Sequence, residues 1–154
     1  KYLDTSWLGE RMKIQTLIAD KRVYTISAHD TVKRLVESLN TFHIGAMVVS
    51  FDGKTIDGIV SERDVVRAMP GKLDQLVGMH VRDIMTVDVH TCTADSTVQE
   101  LMAMMTSLRI RHVPVVDAAG NLISIVSIGD VVKNYVSEID SERQALKDYV
   151  STAG

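Results

Sequence analysis

The spacing of apolar positions along this chain runs twice through one cycle. Val23 to Ser27 alternates in the manner of a short strand. Asp30 or Thr31 then opens a segment whose apolar positions, Val32, Leu35, Val36 and Leu39, fall on one face of a helix. Two extended runs, Ala46 to Ser50 and Ile56 to Val60, are joined through Asp52-Gly53, a strong hairpin signal. A second helix follows to about Met69, where Pro70-Gly71 stops it. After a linking helix around Leu73 to Val77 the cycle begins again. Val89 to Thr93 is the strand, and Ser96-Thr97-Val98-Gln99 predicts a capping box with Ser96 as N-cap and Gln99 reaching back. The helix it opens carries Val98, Leu101, Met102, Met105 and Leu108. Strands at Val113 to Val116 and Leu122 to Val126 are joined through Gly120-Asn121. The last helix starts after Ser127 and is predicted to run toward Tyr149 with a break near Asp140-Ser141.

The two cycles hold a constant register. Gly58-Ile59-Val60-Ser61-Glu62-Arg63-Asp64 returns sixty-six residues later as Ser124-Ile125-Val126-Ser127-Ile128-Gly129-Asp130. About 14 of some 44 aligned positions are identical, where background usage gives roughly 3. The chain is a tandem duplication, and each half reads β-α-β-β-α. Neither half covers its own small sheet, so an α+β fold is predicted in which the halves pack face to face about a pseudo-twofold axis. The expected organisation is an N-terminal extension at 1–13, a first repeat at 14–72, a linker at 73–80, a second repeat at 81–137 and a C-terminal helical extension at 138–154. In the extension, Trp7, Leu8 and Met12 predict a short helix that docks on the body or on a partner. The helical stretch Ile14 to Asp20 matches Val81 to Thr86.

Composition narrows the function class. With 45% apolar and 24% charged residues over 154 positions, the chain reads as an ordinary soluble protein. A formal net charge of −3 argues against nonspecific nucleic-acid binding. No apolar run is long enough to span a membrane, and the opening Lys1-Tyr2-Leu3-Asp4 lacks the layout of a signal peptide. The lone Cys92 fits a reducing compartment, so a cytoplasmic location is expected. Cys92 itself reads as buried and unreactive.

The twin Ser-x-x-Asp segments carry the candidate chemistry. Each follows an apolar strand and precedes a Val-Val pair, which predicts a strand feeding a helix with serine and aspartate at its N-terminus. Such a segment is also a capping box, and both roles can hold together.

With repeat, element order and twin motifs in place, the sequence resembles a pair of cystathionine-β-synthase-type (CBS) domains, also called a Bateman module. GIVSERD matches the family pattern Gly-apolar-apolar-Ser/Thr-x-x-Asp, and SIVSIGD departs from it at Ser124, which suggests a tighter backbone approach in the second cleft. Val81-Arg82-Asp83-Ile84-Met85-Thr86 resembles the segment that introduces a CBS repeat, and Arg111-His112-Val113-Pro114-Val115-Val116-Asp117 its middle strand. The resemblance covers roughly residues 14 to 137.

The resemblance implies a non-catalytic regulator that binds adenosine-containing ligands (AMP foremost, with ATP or NAD as alternatives) in two clefts between the repeats. It also implies a homodimer that reports energy or redox state to an effector protein. Asp64 and Asp130 would accept hydrogen bonds from a ribose diol, as acidic residues do in dinucleotide folds. Ser61 and Ser127 would bond ribose or phosphate. Arg63, Arg111 and His112 are the candidate phosphate cations, although Arg63 and Arg67 also fit a solvated helix face. In the alignment Arg111-His112 stands opposite Gly45-Ala46, so the clefts are expected to differ, with a larger ligand such as a dinucleotide beside the small pair. Thr25, Ser27, Thr91 and Thr93 on the first strands fit either β-propensity or a place beside the adenine or ribose. The apolar slot for adenine is expected near Ile26, Ile44 and Val60 and their counterparts Ile110 and Val126.

Other residues read more plainly. Met102, Met104 and Met105 fit a core stripe, and adding Met104 widens it enough to predict a dimer contact. The five histidines show no helical metal-site spacing, so no metal is expected. An enzyme finds no Gly-x-Ser-x-Gly elbow to support it. The competing reading is a structural dimerisation module with vestigial clefts.

Overall fold

The computed structural model describes residues 12–154, so the docking helix expected around Trp7 and Leu8 lies outside the described residues. A lead-in helix α1 (Gln15–Ile18) precedes β1 (Thr25–Ile26), α2 (Val32–Phe42), β2 (Ala46–Val49), β3 (Gly58–Ser61) and α3 (Glu62–Ala68). A linking helix α4 (Leu73–Leu76) and a second lead-in α5 (Val81–Ile84) follow. The second unit is β4 (Cys92–Thr93), α6 (Val98–Leu108), β5 (His112–Val116), β6 (Leu122–Ser127) and α7 (Ile128–Ala153). Both halves are β-α-β-β-α, as the repeat predicts.

Each half forms a three-stranded sheet with its middle strand parallel to the first and antiparallel to the third. The register confirms the duplication residue by residue. Ala46 pairs with Ser61 as His112 pairs with Ser127, and Met47 with Val60 as Val113 with Val126. Even the helix ends agree: α2 and α6 both close on a left-handed non-glycine residue, His43 at φ 53° and Arg109 at φ 54°.

Four local expectations change. The first strands are two residues long, because only Thr25–Ile26 and Cys92–Thr93 find ladder partners. Asp52-Gly53 lies within a longer connection at 50–57, since the ladder ends at the Val49–Gly58 pair. Asp52 organises that connection: its carboxylate accepts the N–H groups of Thr55 (2.6 Å) and Lys54 (2.8 Å), which pull its pKa down to about 2. The cap of α6 is Thr97 instead of Ser96: Thr97 Oγ1 accepts the Glu100 N–H at 3.1 Å, and Glu100 reaches back to the Thr97 N–H at 3.0 Å. Ser96 Oγ accepts the Thr93 N–H instead, at 3.2 Å. Finally, α7 runs unbroken past Asp140-Ser141, where neither Gly nor Pro interrupts it.

The largest departure from the sequence reading is an exchange of lead-in segments. The first core gathers Ile26, Val32, Leu35, Leu39, Met47, Val49, Val60 and Val65 around Val81 of the second lead-in. The second core gathers Cys92, Val98, Leu101, Met105, Val113, Val115, Val126 and Val131 around Met12, Ile14 and Leu17 of the first. Backbone bonds fix the exchange: Val32 N–H to Met79 O (2.8 Å) and Val81 N–H to Asp30 O (2.8 Å) on one side, Val98 N–H to Met12 O (2.9 Å) and Ile14 N–H to Ser96 O (3.0 Å) on the other. Ile14 is fully buried, and such burial contributes about 1.5–3 kcal/mol. Each half is thus completed by chain from outside its own repeat. Met104, the residue expected at a dimer contact, packs partly against the second core, while Met102 is the exposed methionine of the stripe.

Candidate ligand cleft between the repeats

At the end of β3 the chain turns straight into α3. Ser61 stands in the extended conformation that an N-cap requires. Its N–H and Oγ both donate to Asp64 Oδ2, at 2.7 Å and 3.0 Å. The aspartate is therefore held by its own helix start, and neither bond uses Oδ1. The capping role and a ligand role are compatible in this geometry.

Asp64 lines a cavity of about 420 Å³ between the two halves. From the first half come Gly45, Ala46, Ile59, Ser61, Glu62, Arg63, Asp64 and Arg67. The second half supplies Leu108 to His112, the second lead-in contributes Thr86, and the stretch just after it contributes Asp88 to His90. Ile59, Val89, Leu108 and Ile110 form apolar wall. Four arginines (Arg63, Arg67, Arg109, Arg111) stand against three carboxylates (Glu62, Asp64, Asp88), which leaves the lining net basic although the whole chain is acidic.

Arg111-His112 and Gly45-Ala46 were expected to serve separate clefts, but they meet at this one cavity. The room expected beside Gly45 is filled by the His112 imidazole: a Cβ on Gly45 would lie 3.2 Å from that ring and 3.3 Å from a Glu62 carboxylate oxygen. Burial lowers the His112 pKa, and the nearby Lys21 ammonium lowers it further, against opposing pulls from Glu62 and Asp130. His112 thus favours the neutral form and serves as a hydrogen-bonding group more than as a cation. Arg63 reaches across the halves, its Nη1 donating to Arg109 O at 3.4 Å.

Several sequence candidates lie elsewhere. Val60 and Val126 are fully buried in the two cores, because strand alternation turns them away from the cleft. Thr93 is tied to Ser96, and Ser27 Oγ accepts the His29 N–H at 3.2 Å, so both build turns. Thr25 and Thr91 do not line the cavity. Ile44 packs on the first core, whereas Ile110 does line the cavity. The wall expected from the first strands is supplied instead by Thr86, Asp88, Val89 and His90, on the second lead-in and just after it. Thr86 was visible in the sequence as the end of Asp-Ile-Met-Thr, but nothing there indicated the exchange that brings it to the first half. It is clamped to β3 by two reciprocal bonds with Ile59, both 2.9 Å.

That clamp explains Gly58. A Cβ there would meet Met85 Sδ and Thr86 O at 2.9 Å each. The tight approach therefore belongs to the first cleft, not to the second as Ser124 suggested. Ser124 is buried, and its hydroxyl has no hydrogen-bond partner.

The second acid has different surroundings. Asp130 Oδ2 accepts the Ser127 N–H (2.8 Å) and Oγ–H (2.9 Å) and also pairs with the Lys21 ammonium. Burial pushes the Asp130 carboxyl up, but the bonds from Lys21 and Ser127 outweigh it and hold the pKa below its ordinary value. Among the described residues no group of three or more His, Cys, Asp or Glu side chains forms a metal site. None of the described helices is long and apolar enough to cross a membrane.

A duplicated β-α-β-β-α unit, with paired acids at its strand-to-helix junctions and exchanged lead-ins, defines a class: tandem α+β modules with clefts between the repeats. The chain belongs to the CBS-domain family, whose sequence profile matches residues 15–71 and 81–137. It is 34% identical over 151 residues to the mitochondrial CBS domain-containing protein CBSX3 of Arabidopsis thaliana, covering 96% of this chain and 73% of the relative. Among solved structures, a CBS-domain containing protein from Agrobacterium tumefaciens aligns with TM-score 0.76 and 36% identity, covering 80% of this chain and 99% of the other. A CBS domain protein from Pyrobaculum aerophilum, complexed with AMP, aligns with TM-score 0.69 and 24% identity over 77% of this chain and 89% of its own. At that identity the likeness is one of fold.

Proposed function

We propose that the chain is a non-catalytic regulatory module that binds an adenosine-containing ligand in the cleft between its repeats. AMP is the first candidate, ATP and NAD the larger ones. The observation that carries this reading is Asp64: a carboxylate fixed by its own helix cap, with Oδ1 outside those bonds, beside a cavity with cationic walls. In this reading Asp64 accepts the ribose diol and Ser61 bonds the ribose or phosphate. Arg63, Arg67, Arg109 and Arg111 bind phosphate, with neutral His112 as a hydrogen-bonding partner. Ile59, Val89 and Ile110 hold the base. A cavity of about 420 Å³ suits a ligand of nucleotide size. The AMP carried by the Pyrobaculum aerophilum protein supports the ligand class.

Signalling then follows from differential binding: ligand favours one packing of the halves, and an effector protein reads that geometry. A thermal-shift panel of AMP, ADP, ATP, NAD, NADH and S-adenosylmethionine tests the reading. Ligand at a hundred times its dissociation constant adds about 2.7 kcal/mol of stability. No shift with any of them would reject it in favour of a structural module with vestigial clefts.

A homodimer is part of the proposal. Val36, Ile44 and Val66 line an apolar groove between α2 and α3, and Met102, Ile110 and Val132 line its repeat-related counterpart between α6 and α7. Val66 is 60% exposed and Val132 55%, and twin apolar patches of this kind mark association surfaces. Sedimentation at micromolar concentration should show a dimer, and a monomer there would remove this part.

A further inference from the structure

The two acids are equivalent by repeat, yet a lysine reaches only one of them. Lys21 lies between α1 and β1 and reaches across to Asp130 at the start of α7. Its side chain is 25% exposed and pairs with Asp130, itself 30% exposed. The matching stretch of the second lead-in, Val87-Asp88, holds no cation, and its Asp88 lines the open cavity. No other ion pair joins the two halves at such depth among the described residues. Lys13–Asp95 lies at the surface, and the remaining pairs are local in sequence.

We infer that Lys21 acts as a built-in occupant of the second cleft and limits the chain to one nucleotide, taken at Asp64. The inference rests on the nucleotide reading of the clefts. An ammonium–carboxylate bond is charge-assisted, and such bonds are roughly twice as strong as neutral ones. A ribose diol offers only neutral donors, so it does not displace Lys21 from Asp130 without loss. Displacement would also leave a largely buried ammonium without its partner. Lys21 thus sets ligand number without touching the ligand that binds.

Calorimetric titration with AMP tests this on the full chain. The expected result is one site in the native protein, none in Asp64→Ala, two in Lys21→Met, one in the Lys21→Met, Asp64→Ala double variant, and one in Lys21→Arg, which keeps the cation. Two sites in the native protein, or one site in a folded Lys21→Met variant, would overturn the inference. Absence of binding in the native protein would refute the reading of the first cleft. In that case a single site in Lys21→Met would still support the role of Lys21, and none in either would refute both. Amine acetylation read by mass spectrometry decides the matter should Lys21→Met fail to fold. Lys21 should label at least tenfold more slowly than Lys13, and Asp130→Asn should remove most of that protection. Equal labelling of the two lysines would overturn the inference.

Discussion

The two halves of this chain share a backbone and differ in what reaches their acids. Strand register, helix caps and left-handed helix ends coincide from one repeat to the other. Ser61 and Ser127 bond Asp64 and Asp130 in nearly the same way. Yet Asp64 opens on a cavity walled by arginines, while Asp130 is held by a lysine. The difference comes from the lead-in segments, which carry Thr86 and, just beyond α5 and α1, Asp88 to one side and Lys21 to the other. Duplication preserved the main-chain bonds that build each half. The side chains that reach the two acids diverge at the connections, where no ladder constrains them.

The widest test of this comparison is the exchange of lead-ins. Ile14→Ala should cost about 2–5 kcal/mol, as large-to-small changes in a core do. Although Ile14 precedes the first repeat, native-state hydrogen exchange should show protection lost mainly in the second. Loss confined to the first repeat would break the exchange. Gly58→Ala comes next, at roughly 1–3 kcal/mol in thermal melts, because its Cβ meets the Thr86 carbonyl, which the bond from Ile59 N–H holds in place, even if the Met85 side chain moves aside. Ser124→Gly should be far milder, since the second half holds no such clamp. Thr97→Ala should cost about 1 kcal/mol, and Thr31→Ala a similar amount, because Thr31 Oγ1 caps α2 by accepting the Arg34 N–H at 3.2 Å; Ser96→Ala should cost less.

The smallest effect is on pH dependence. The folded pKa of Asp130 is held down, so its contribution is fully present above the unfolded value of about 3.9 and is lost as pH falls through the folded value. Lys21→Met should flatten that acid limb in denaturant titrations run from pH 5 downward. His112 adds a slope of the same sign at higher pH: its pKa is depressed by burial, so stability declines as pH drops below about 6.5.

Much of this was legible in the residues. The period of Val32, Leu35 and Leu39 placed α2, and the constant offset of GIVSERD and SIVSIGD placed both strand-to-helix junctions. The same offset showed that the halves were equivalent. What could not be read was which half each lead-in completes, since helical periodicity gives the buried face of α1 and α5 but not its partner. That one unknown decides the cleft wall, which is built from Thr86 and Asp88 and not from Thr25 and Thr91. Alternation within β3 and β6 excludes Val60 and Val126, which stand one residue before Ser61 and Ser127 and so face the opposite side of the strand. The α6 cap was missed because Ser96 and Thr97 are both good N-caps, and Glu100 rather than Gln99 closes the box.

The central claim is that equivalent acids serve unequal clefts, and titration of AMP into Asp64→Ala and Asp130→Ala, each checked for folding by its melt, tests it most directly. The account predicts that Asp64→Ala abolishes binding while Asp130→Ala leaves a first-cleft site. Binding that survives Asp64→Ala and vanishes in Asp130→Ala would contradict it.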